Sequence, residues 1–356
     1  MDIKASRWVK WGDQHLLGLP EKLPEVNGSL SAAYKTARGR LYCGKIEAFL
    51  DSRHAKRVRR QVQLVFTSPP FPLTKKKRYG NLQGDAYVDW FADLAPKLRE
   101  LLTTDGSIVV EIGNVWEPGR PVMSTVVPRA LLEFLNKAEL KLCQEFIWYN
   151  PARLPSPIQW VNVERIRVKD AFSRVWWMSA VDRPKADNRK VLRAYSDSMK
   201  KLLRTGKYNS GLRPSEHRIG KESFKKTNDG AIPPSVIGGD AAEGLGNLLK
   251  ATNTRSVEQY QLFCRDSNLG SHPARMPTEL AEFFIKFLTD ERDLVLDPFA
   301  GSNTTGQTAE ALRRRWISVE ARWDYAIASL GRFDPAKVSV LADFVNQSAS
   351  MHVPKN

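Results

Sequence analysis

The chain has 356 residues, of which 42% are apolar and 26% are charged, a composition typical of folded globular proteins rather than disordered or fibrous ones. At about 100 to 200 residues per domain, this length allows one large domain or two of ordinary size. The 55 Lys and Arg residues exceed the 39 Asp and Glu residues and give a formal net charge of +16. Such a charge favours a polyanionic partner, above all a nucleic acid.

The sequence lacks the features of membrane proteins, secreted disulfide-rich proteins and zinc proteins. No run approaches the roughly 20 apolar residues of a membrane span, and the first residues lack the apolar core of a secretory signal. We therefore expect a cytoplasmic protein without a membrane partner. Cys43, Cys143 and Cys264 are odd in number and lie far apart without metal-ligand spacing. Neither a disulfide framework nor a metal site is expected.

Short apolar runs alternate with amphipathic segments along most of the chain, a pattern typical of an α/β domain with a mostly parallel sheet. Predicted strands lie at residues 40–44, 63–68, 107–113, 145–150, 174–180, 293–299 and 316–321. Predicted helices lie at residues 87–102, 126–140, 278–289 and 304–315. We therefore predict a Rossmann-like, doubly wound, seven-stranded sheet with helices on its faces.

The alternation stops after about Asp182 and resumes near Arg265. From Arg183 to Asn228 the chain has 14 Lys and Arg against 4 Asp and Glu, so well over half of the net charge lies there. One interpretation is a solvated or disordered insertion. The other is a module that follows DNA phosphates, because a concentrated cationic surface gains affinity when counterions are released.

The segment LVLDPFAGSNTTG combines an apolar strand, a glycine-containing turn and the start of a helix. Ligands of a doubly wound sheet bind at the carboxyl ends of its strands, so this turn is expected to face a ligand. Gly301 permits close approach, while Ser302, Asn303 and Thr304 provide polar groups at the helix N-terminus. Glu320 ends the next strand, where a carboxylate accepts hydrogen bonds from ribose hydroxyls.

The chain has neither a GxGxxG turn nor a Walker loop at this position. The pattern therefore favours a nucleoside ligand without phosphates, and S-adenosylmethionine meets that description. A strand, turn and helix with an uninvolved surface glutamate is the alternative interpretation.

A second segment, Thr67-Ser68-Pro69-Pro70-Phe71, follows the predicted strand at residues 63–68. The two prolines have no N–H and hold the preceding residue extended, so oxygen acceptors are presented there. In cytosine the N4 lone pair is delocalised into the ring, which makes N4 a poor nucleophile. Acceptors that bind its two N–H bonds would favour a tetrahedral nitrogen, whose lone pair can attack. The base would have to leave the duplex, and Phe71 is placed to stack on it. Taken alone, the segment is also compatible with an ordinary loop.

Together these segments resemble those of the β-class DNA amino-methyltransferases of restriction-modification systems, in which an SPP motif precedes the cofactor loop. The resemblance is strongest to the PvuII-type, cytosine-N4-specific branch. It runs from about Leu41 to Arg332, through TSPPF, KKRYGN, YVDW, NPARLPSPIQWVN, RIRVKDAFSRVWW, HPARMP and DPFAGSNTTG. The chain departs from the class at two positions: Lys45 stands where Asp is frequent, and Asn303 replaces a glycine.

The resemblance implies an S-adenosylmethionine-dependent methyltransferase fold with circularly permuted motif order and no metal. It implies that Ser68, Pro69, Pro70 and Phe71 form the catalytic, base-binding segment. The implied cofactor-binding residues are Thr67, His272, Pro273, Asp297, Phe299, Gly301, Ser302, Asn303, Thr304 and Glu320. The candidate DNA-binding residues are Lys75, Lys76, Lys77, Arg78, Lys200, Lys201, Arg213, Arg218, Lys225 and Lys226.

The resemblance also divides the chain. Residues 1–38 form an N-terminal extension, 39–182 the first catalytic part, 183–265 a basic target-recognition region, and 266–356 the second catalytic part with a C-terminal tail. The implied partner is double-stranded DNA, with the palindrome CAGCTG as the implied site, bound by a monomer or weak homodimer.

The resemblance leaves the target base open between two amino groups. Ser68 favours cytosine N4, because adenine-N6 enzymes of similar build more often carry DPPY. Glutamine-N5 and RNA amino-methyltransferases share this chemistry, although a large basic insertion suits duplex DNA better. A non-catalytic DNA-binding protein that keeps the fold is the alternative from a different class.

Overall fold

The computed structural model describes residues 7–11, 14–19, 29–73, 81–238 and 259–341. The strands in these ranges are β1 (Arg7–Trp11), β2 (Gln14–Leu19), β3 (Ser31–Lys35), β4 (Gly39–Cys43), β5 (Val62–Thr67), β6 (Leu102–Gly113), β7 (Lys141–Tyr149), β8 (Phe172–Ser179), β9 (Gly211–Leu212), β10 (Arg218–Ile219), β11 (Val236–Ile237), β12 (Leu294–Asp297), β13 (Arg315–Glu320) and β14 (Ser339–Val340). The α-helices are α1 (Ile46–Leu50), α2 (Arg53–Arg57), α3 (Gly84–Leu101), α4 (Val126–Lys137), α5 (Asp197–Thr205), α6 (Gln259–Asp266), α7 (Thr278–Leu288), α8 (Thr304–Ala311) and α9 (Trp323–Ala328).

A ten-stranded sheet with the order β11-β7-β8-β6-β5-β12-β13-β4-β3-β14 forms the centre of the described structure. The seven strands expected from the sequence occupy its consecutive positions from β7 to β4, which confirms the predicted α/β fold. Neighbours from β6 to β4 are parallel. β8 runs antiparallel to both β6 and β7. Because β5 and β12 are parallel neighbours, the segments that follow them meet at the same edge of the sheet.

Helices cover both faces of the sheet. The mostly apolar strand β5 needs this cover, because its side chains point alternately to the two faces. All six of its residues are buried, which is typical of a strand packed on both sides. Phe66 lies in one buried cluster and stacks on Phe284 of α7, with ring centroids 5.6 Å apart. Its neighbour Val65 lies in a second cluster with Phe91 of α3 and Phe134 of α4.

Two segments that the resemblance places outside the catalytic parts pair with strands of the central sheet. Within the expected N-terminal extension, β3 pairs with β4 and so belongs to the central sheet. Within the expected target-recognition region, β11 pairs with β7. In the same region, Phe263 of α6 lies in the buried cluster that holds α7. The sequence SAAYK of β3 and the two-residue β11 lack the apolar runs by which the other strands were recognised, which explains both differences.

No helix in the described ranges has the length and apolar character needed to cross a membrane. All three cysteines are thiols, and those of Cys43 and Cys264 are buried.

Candidate active site

A cleft of about 730 Å³ is lined by residues at the carboxyl ends of β4, β5, β12 and β13. The expected site residues that line it are Ser68, Pro69, Pro70, Phe71, His272, Asp297, Phe299, Gly301, Ser302, Thr304 and Glu320. The structure therefore brings the two motifs into one cavity. Lys45, which the sequence analysis singled out, also lines it. Lining residues that sequence reasoning missed include Glu47, Asn81, Leu82, Trp90 and Met276.

A buried hydrogen bond joins the two motifs. The Thr67 hydroxyl donates to Oδ1 of Asp297 at 2.7 Å, across 230 positions of sequence. The backbone N–H of Phe299 donates to the same oxygen at 3.1 Å. Burial raises the pKa of Asp297 to about 6. Thr67 itself is not among the lining residues, so its side chain holds Asp297 rather than facing the cleft.

The glycine turn after β12 fixes the carboxylate of Glu320. Gly301 has a φ of +52°, a conformation that favours glycine, and its N–H donates to Oε2 of Glu320 at 2.7 Å. The N–H of Arg322 donates to Oε1 at 2.8 Å. Burial raises the pKa of Glu320 to about 7. A Cβ on Gly301 would stand 3.2 Å from the His272 ring, so the turn has no room for a larger residue without movement.

Asn303 lies at the N-terminus of α8, as the sequence indicates, but it is not among the residues that line the cleft. Its side chain is buried, with Nδ2 donating to the Tyr34 hydroxyl at 2.9 Å. Its Oδ1 accepts from the Ser318 hydroxyl at 2.7 Å and from the Gly306 N–H at 3.2 Å. Asn303 therefore caps α8 and shapes the turn without lining the cleft. Pro273, also expected at the cofactor, lies outside the lining as well.

His272 is held in its neutral form. Burial lowers its pKa to about 4, and its ring packs edge-on against Tyr325 with centroids 4.5 Å apart. Nδ1 lies 2.6 Å from the carbonyl oxygen of Ala274. The backbone N–H of Ala274 lies 3.3 Å from the same Nδ1, so both backbone polar groups of Ala274 face this nitrogen, while Nε2 lies on the side of the ring that faces Gly301.

Glu111 on β6 is a site residue that the sequence did not reveal. The Ser68 hydroxyl donates to its Oε2 at 2.6 Å, and burial raises the pKa of this carboxyl. Ser173 is a second hydrogen-bonding partner of Glu111, and Arg153 donates to the Ser173 hydroxyl at 2.9 Å. The available signal was a single acidic residue within the apolar strand SIVVEIG.

Aromatic rings occupy two parts of the cleft wall. Phe71 packs so closely on Gly113 that a Cβ there would lie 2.6 Å from the ring. Trp90 of α3 donates its indole N–H to Glu47 at 2.8 Å, and its ring centroid is 5.7 Å from that of Phe299. Apolar ring surface is therefore present beside both motifs.

Residues 62–329 match the family model for DNA methylases of the N6 and N4 type. The chain is 44% identical over 310 residues to the type II methyltransferase M.PvuII of Proteus hauseri, covering 86% of this chain and 87% of that protein. This chain belongs to the DNA methylase family.

Two further comparisons agree with this assignment. The methylase resembles the solved structure of the PvuII DNA methyltransferase (cytosine-N4-specific), with a TM-score of 0.66, 36% identity, and 91% and 95% of the two chains covered. It is 24% identical over 323 residues to the type II methyltransferase M.ScaI of Streptomyces caespitosus, covering 89% and 88% of the two chains. The predicted family resemblance and fold are confirmed.

The Lys- and Arg-rich stretch from Arg183 to Asn228, here called the basic segment, consists of two different parts. At its start, Lys185 forms ion pairs of 2.7 Å with both Asp290 and Asp293, and Lys190 also pairs with Asp290. These lysines lower the pKa of Asp290 to about 2. The cations at this end therefore fasten the segment to the loop between α7 and β12.

The later part of the segment presents cations to solvent. Lys201 on α5, Arg218 on β10 and Lys226 are exposed, and within the described ranges they form no ion pair. Lys200 and Lys225 pair with local acids, and Arg213 donates to the backbone of Asn209. The expected DNA-binding residues Lys75, Lys76, Lys77 and Arg78 lie outside the described residues. In the described part of the methylase, no cluster of three or more His, Cys, Asp or Glu side chains is placed to hold a metal ion.

Proposed function

We propose that this methylase transfers a methyl group from S-adenosylmethionine to N4 of a cytosine flipped out of duplex DNA. The observation that carries the proposal is the position of Ser68, whose hydroxyl is hydrogen-bonded to Glu111 at 2.6 Å in the cleft that also contains Gly301 and Glu320. The similarity to M.PvuII and to the cytosine-N4-specific structure supports cytosine as the target base. The proposed setting is the bacterial cytoplasm, where the protein is the modification half of a restriction-modification system.

The cleft fits the chemistry of S-adenosylmethionine. Its volume of about 730 Å³ is ordinary for a small-molecule site, and the rings of Trp90 and Phe299 offer apolar surface to an adenine. Glu320 is an acceptor for ribose hydroxyls at the end of β13. Asp297 and Glu320 are buried carboxyls, which suit a ligand that carries positive charge.

We assign the cofactor to Asp297, Phe299, Gly301, Ser302, Thr304 and Glu320, with His272 beside the turn. When bound, S-adenosylmethionine supplies an electrophilic methyl group on a positively charged sulfur. Gly301 keeps backbone close to the ligand because it has no Cβ, and neutral His272 adds no charge that would repel a cation. Thr67 and Asn303 contribute indirectly, by fixing Asp297 and the turn.

Ser68 and the prolines after it present acceptors to the target amino group. Because the Ser68 proton is donated to Glu111, the lone pairs of Oγ are available to an N4–H. Pro69 and Pro70 have no backbone N–H that would compete for this position. Phe71, packed on Gly113, offers the face of its ring to the base.

The same pair accounts for the proton that the amino nitrogen loses. As N4 gains a methyl group, one N4 proton passes to Ser68 Oγ, and the original Ser68 proton moves to Glu111 Oε2. Burial raises the pKa of Glu111, so its carboxylate is a stronger base than an exposed glutamate. The step needs neither a metal ion nor a covalent enzyme intermediate.

We further propose that the exposed cations after residue 196 bind the phosphates of duplex DNA and that the basic segment is the target-recognition region. Lys201, Arg218 and Lys226 are the strongest candidates, because no acidic side chain in the described ranges neutralises them. A monomer or weak homodimer is sufficient, since a monomer can modify each strand of a palindrome in turn.

The deciding experiment is methyl transfer from labelled S-adenosylmethionine to genomic DNA of unrelated origin, followed by nucleoside analysis. The expected product is N4-methylcytosine, and sequencing of the modified sites then tests CAGCTG as the target. N6-methyladenine would overturn the choice of base while preserving the chemistry. Retention of DNA without any transfer of label would instead favour a binding protein that keeps the fold.

A further inference from the structure

The loop between β7 and β8, residues 150–171, exposes an unusual amount of apolar surface. Its exposed large aliphatic side chains are Leu154, Ile158, Val163, Ile166 and Val168. Leu154 is 80% exposed and Val168 is 87% exposed, the highest values for large hydrophobic side chains in the described part of the chain. This concentration of exposed aliphatic side chains within one loop differs from the singly scattered hydrophobic residues of an ordinary surface, and it points to a contact site for a partner.

Internal contacts hold this loop in shape. The Trp160 ring packs against Trp116 with centroids 5.7 Å apart. The Arg167 guanidinium donates twice to the carbonyl of Pro121, at 2.7 and 3.0 Å. Lys169 Nζ donates to the carbonyl of Pro151 at 2.7 Å and so ties the two ends of the loop together. The exposed aliphatic side chains are therefore presented by an ordered scaffold rather than by an unstructured segment.

The ends of the loop are connected to the catalytic segment. Asn114 Nδ2 donates to Asp170 at 2.9 Å, and Asn114 directly follows the glycine on which Phe71 packs. On the other side, Arg153 contacts Ser173, a hydrogen-bonding partner of Glu111. Glu111 in turn accepts from Ser68. The loop thus leaves the sheet beside the residues that receive the target base.

The charges of the loop identify the kind of partner. It contains Arg153, Arg165, Arg167 and Lys169 against two acidic residues, Glu164 and Asp170. Asp170 is engaged internally, 3.6 Å from Arg153. A surface that combines aliphatic tips with basic side chains suits nucleic acid, in which stacked bases lie between rows of phosphates.

We propose that the β7–β8 loop enters the duplex at the target base, where its exposed aliphatic side chains contact the bases beside the vacated position. This inference rests on the proposed function, which requires an extruded base. Extrusion breaks pairing and stacking and leaves apolar base surface open to water. Aliphatic side chains that cover this surface stabilise the extruded state, as wedge residues do in proteins that bend DNA.

The test compares the double variant Leu154→Ala, Val168→Ala with the control Leu132→Ala. Leu132 is also an exposed leucine, 58% exposed on α4, so neither variant loses core packing. Single-turnover methyl transfer is measured on a fully paired duplex and on one whose target base is mispaired. We expect the double variant to lose about tenfold in rate on the paired duplex and about twofold or less on the mispaired one, because mispairing already removes much of the extrusion cost. The control should match the wild type on both duplexes.

A second readout does not require methyl transfer. Emission of 2-aminopurine next to the target base rises when the target leaves the stack, and this rise should be smaller with the double variant. An equal loss of rate on both duplexes, or an unchanged emission, would overturn the proposal. A change in sedimentation coefficient without a change in extrusion would make the loop an interface between copies. If the wild type transfers no methyl group but the emission still rises, the proposed function fails while the loop proposal stands.

Discussion

The hydroxyl of Ser68 and the carboxyl of Glu111 form one chemical unit, because the direction of their hydrogen bond determines what Ser68 can accept. We expect Ser68→Ala and Glu111→Gln each to lower kcat by about 10² to 10³, as is common when a proton-transfer group is removed. The Kd for S-adenosylmethionine should stay within about twofold, because neither side chain is assigned to the cofactor. Single-turnover kinetics and equilibrium dialysis measure the two quantities. A parallel loss of cofactor binding would assign both residues to folding instead.

The pH dependence of kcat gives a separate check on Glu111. The carboxylate form is needed to accept the proton, so the rate should fall as the pH drops through the pKa of Glu111. Burial raises this pKa, which moves the acidic limb above the range of an exposed glutamate. Glu111→Gln should remove this limb from its residual rate profile.

Glu320 links the cleft to stability. Its pKa in the folded protein is about 7 against an ordinary value of 4.5, so the ligand-free folded state binds this proton more tightly than the unfolded chain. Protonated Glu320 therefore stabilises the folded state. This stabilisation is fully present below pH 4.5, and it is lost as the pH rises to about 7. Relative to Glu320→Gln, the wild type should lose about 3 kcal/mol over this window. Urea titrations at several pH values measure the difference, and parallel pH profiles would contradict the shift.

The contiguous motifs made Ser68, Asp297 and Glu320 predictable, because each follows an apolar strand at the position where ligands bind. Glu111 lies inside a strand, and Trp90 lies within an amphipathic helix, where an aromatic residue is ordinarily part of the core. Their roles depend on neighbours far away in sequence. Asn303 shows the converse case, since its place in the turn was correctly expected but its side chain bonds to Tyr34 and Ser318 behind it.

At the scale of elements, α7 packs on the centre of the sheet through Phe284. Phe284 is buried and contacts Phe66 and Phe146 with centroids 5.6 and 5.1 Å apart. Phe284→Ala should lower the free energy of unfolding by about 3 to 5 kcal/mol through the cavity that it leaves. Exposed Leu132→Ala should change it by no more than about 0.5 kcal/mol. Denaturant unfolding measures both, and similar values for the two variants would place Phe284 outside the core.

The two parts of the basic segment predict opposite behaviour. Lys185→Ala with Lys190→Ala breaks the ion pairs to Asp290 and Asp293, so we expect a loss of about 1 kcal/mol in stability and little change in the salt dependence of DNA binding. Lys201→Ala with Arg218→Ala should leave stability unchanged. It should reduce the slope of log K against log salt by about 1 to 2, one for each lost phosphate contact. Slopes that match the wild type for the second pair would remove these residues from the DNA interface.

The long apolar runs allowed seven strands and four helices to be placed from the sequence, because buried strands and amphipathic helices have strong periodicity. The antiparallel direction of β8 and the pairing of β3 and β11 were not predictable in this way. The pairing and direction of a strand depend on which neighbouring strands already form the sheet, and a strand's own residues do not specify those neighbours. Composition likewise marked the basic segment but did not separate its ion-paired start from its exposed remainder.

For the whole molecule, the meeting of both motifs in one cleft has a consequence for a palindromic target. If one monomer modifies one strand at a time, duplexes methylated on one strand should accumulate before the doubly methylated product. Quenched time courses with strand-specific analysis measure this order. Simultaneous appearance of methyl groups on both strands would instead require two chains acting together.

The hydrogen bond from Thr67 to Asp297 has a further consequence for how this protein is made. Ser68 leaves the ribosome well over two hundred residues before the glycine turn that completes the cleft, and β12 and β13 must then insert between β5 and β4. A nascent chain that stops short of β12 has the serine but lacks the neighbouring strand that carries Asp297. Interrupted translation therefore yields products without this cleft, so under the proposed function the protection of a genome would depend on the supply of chains translated through β13.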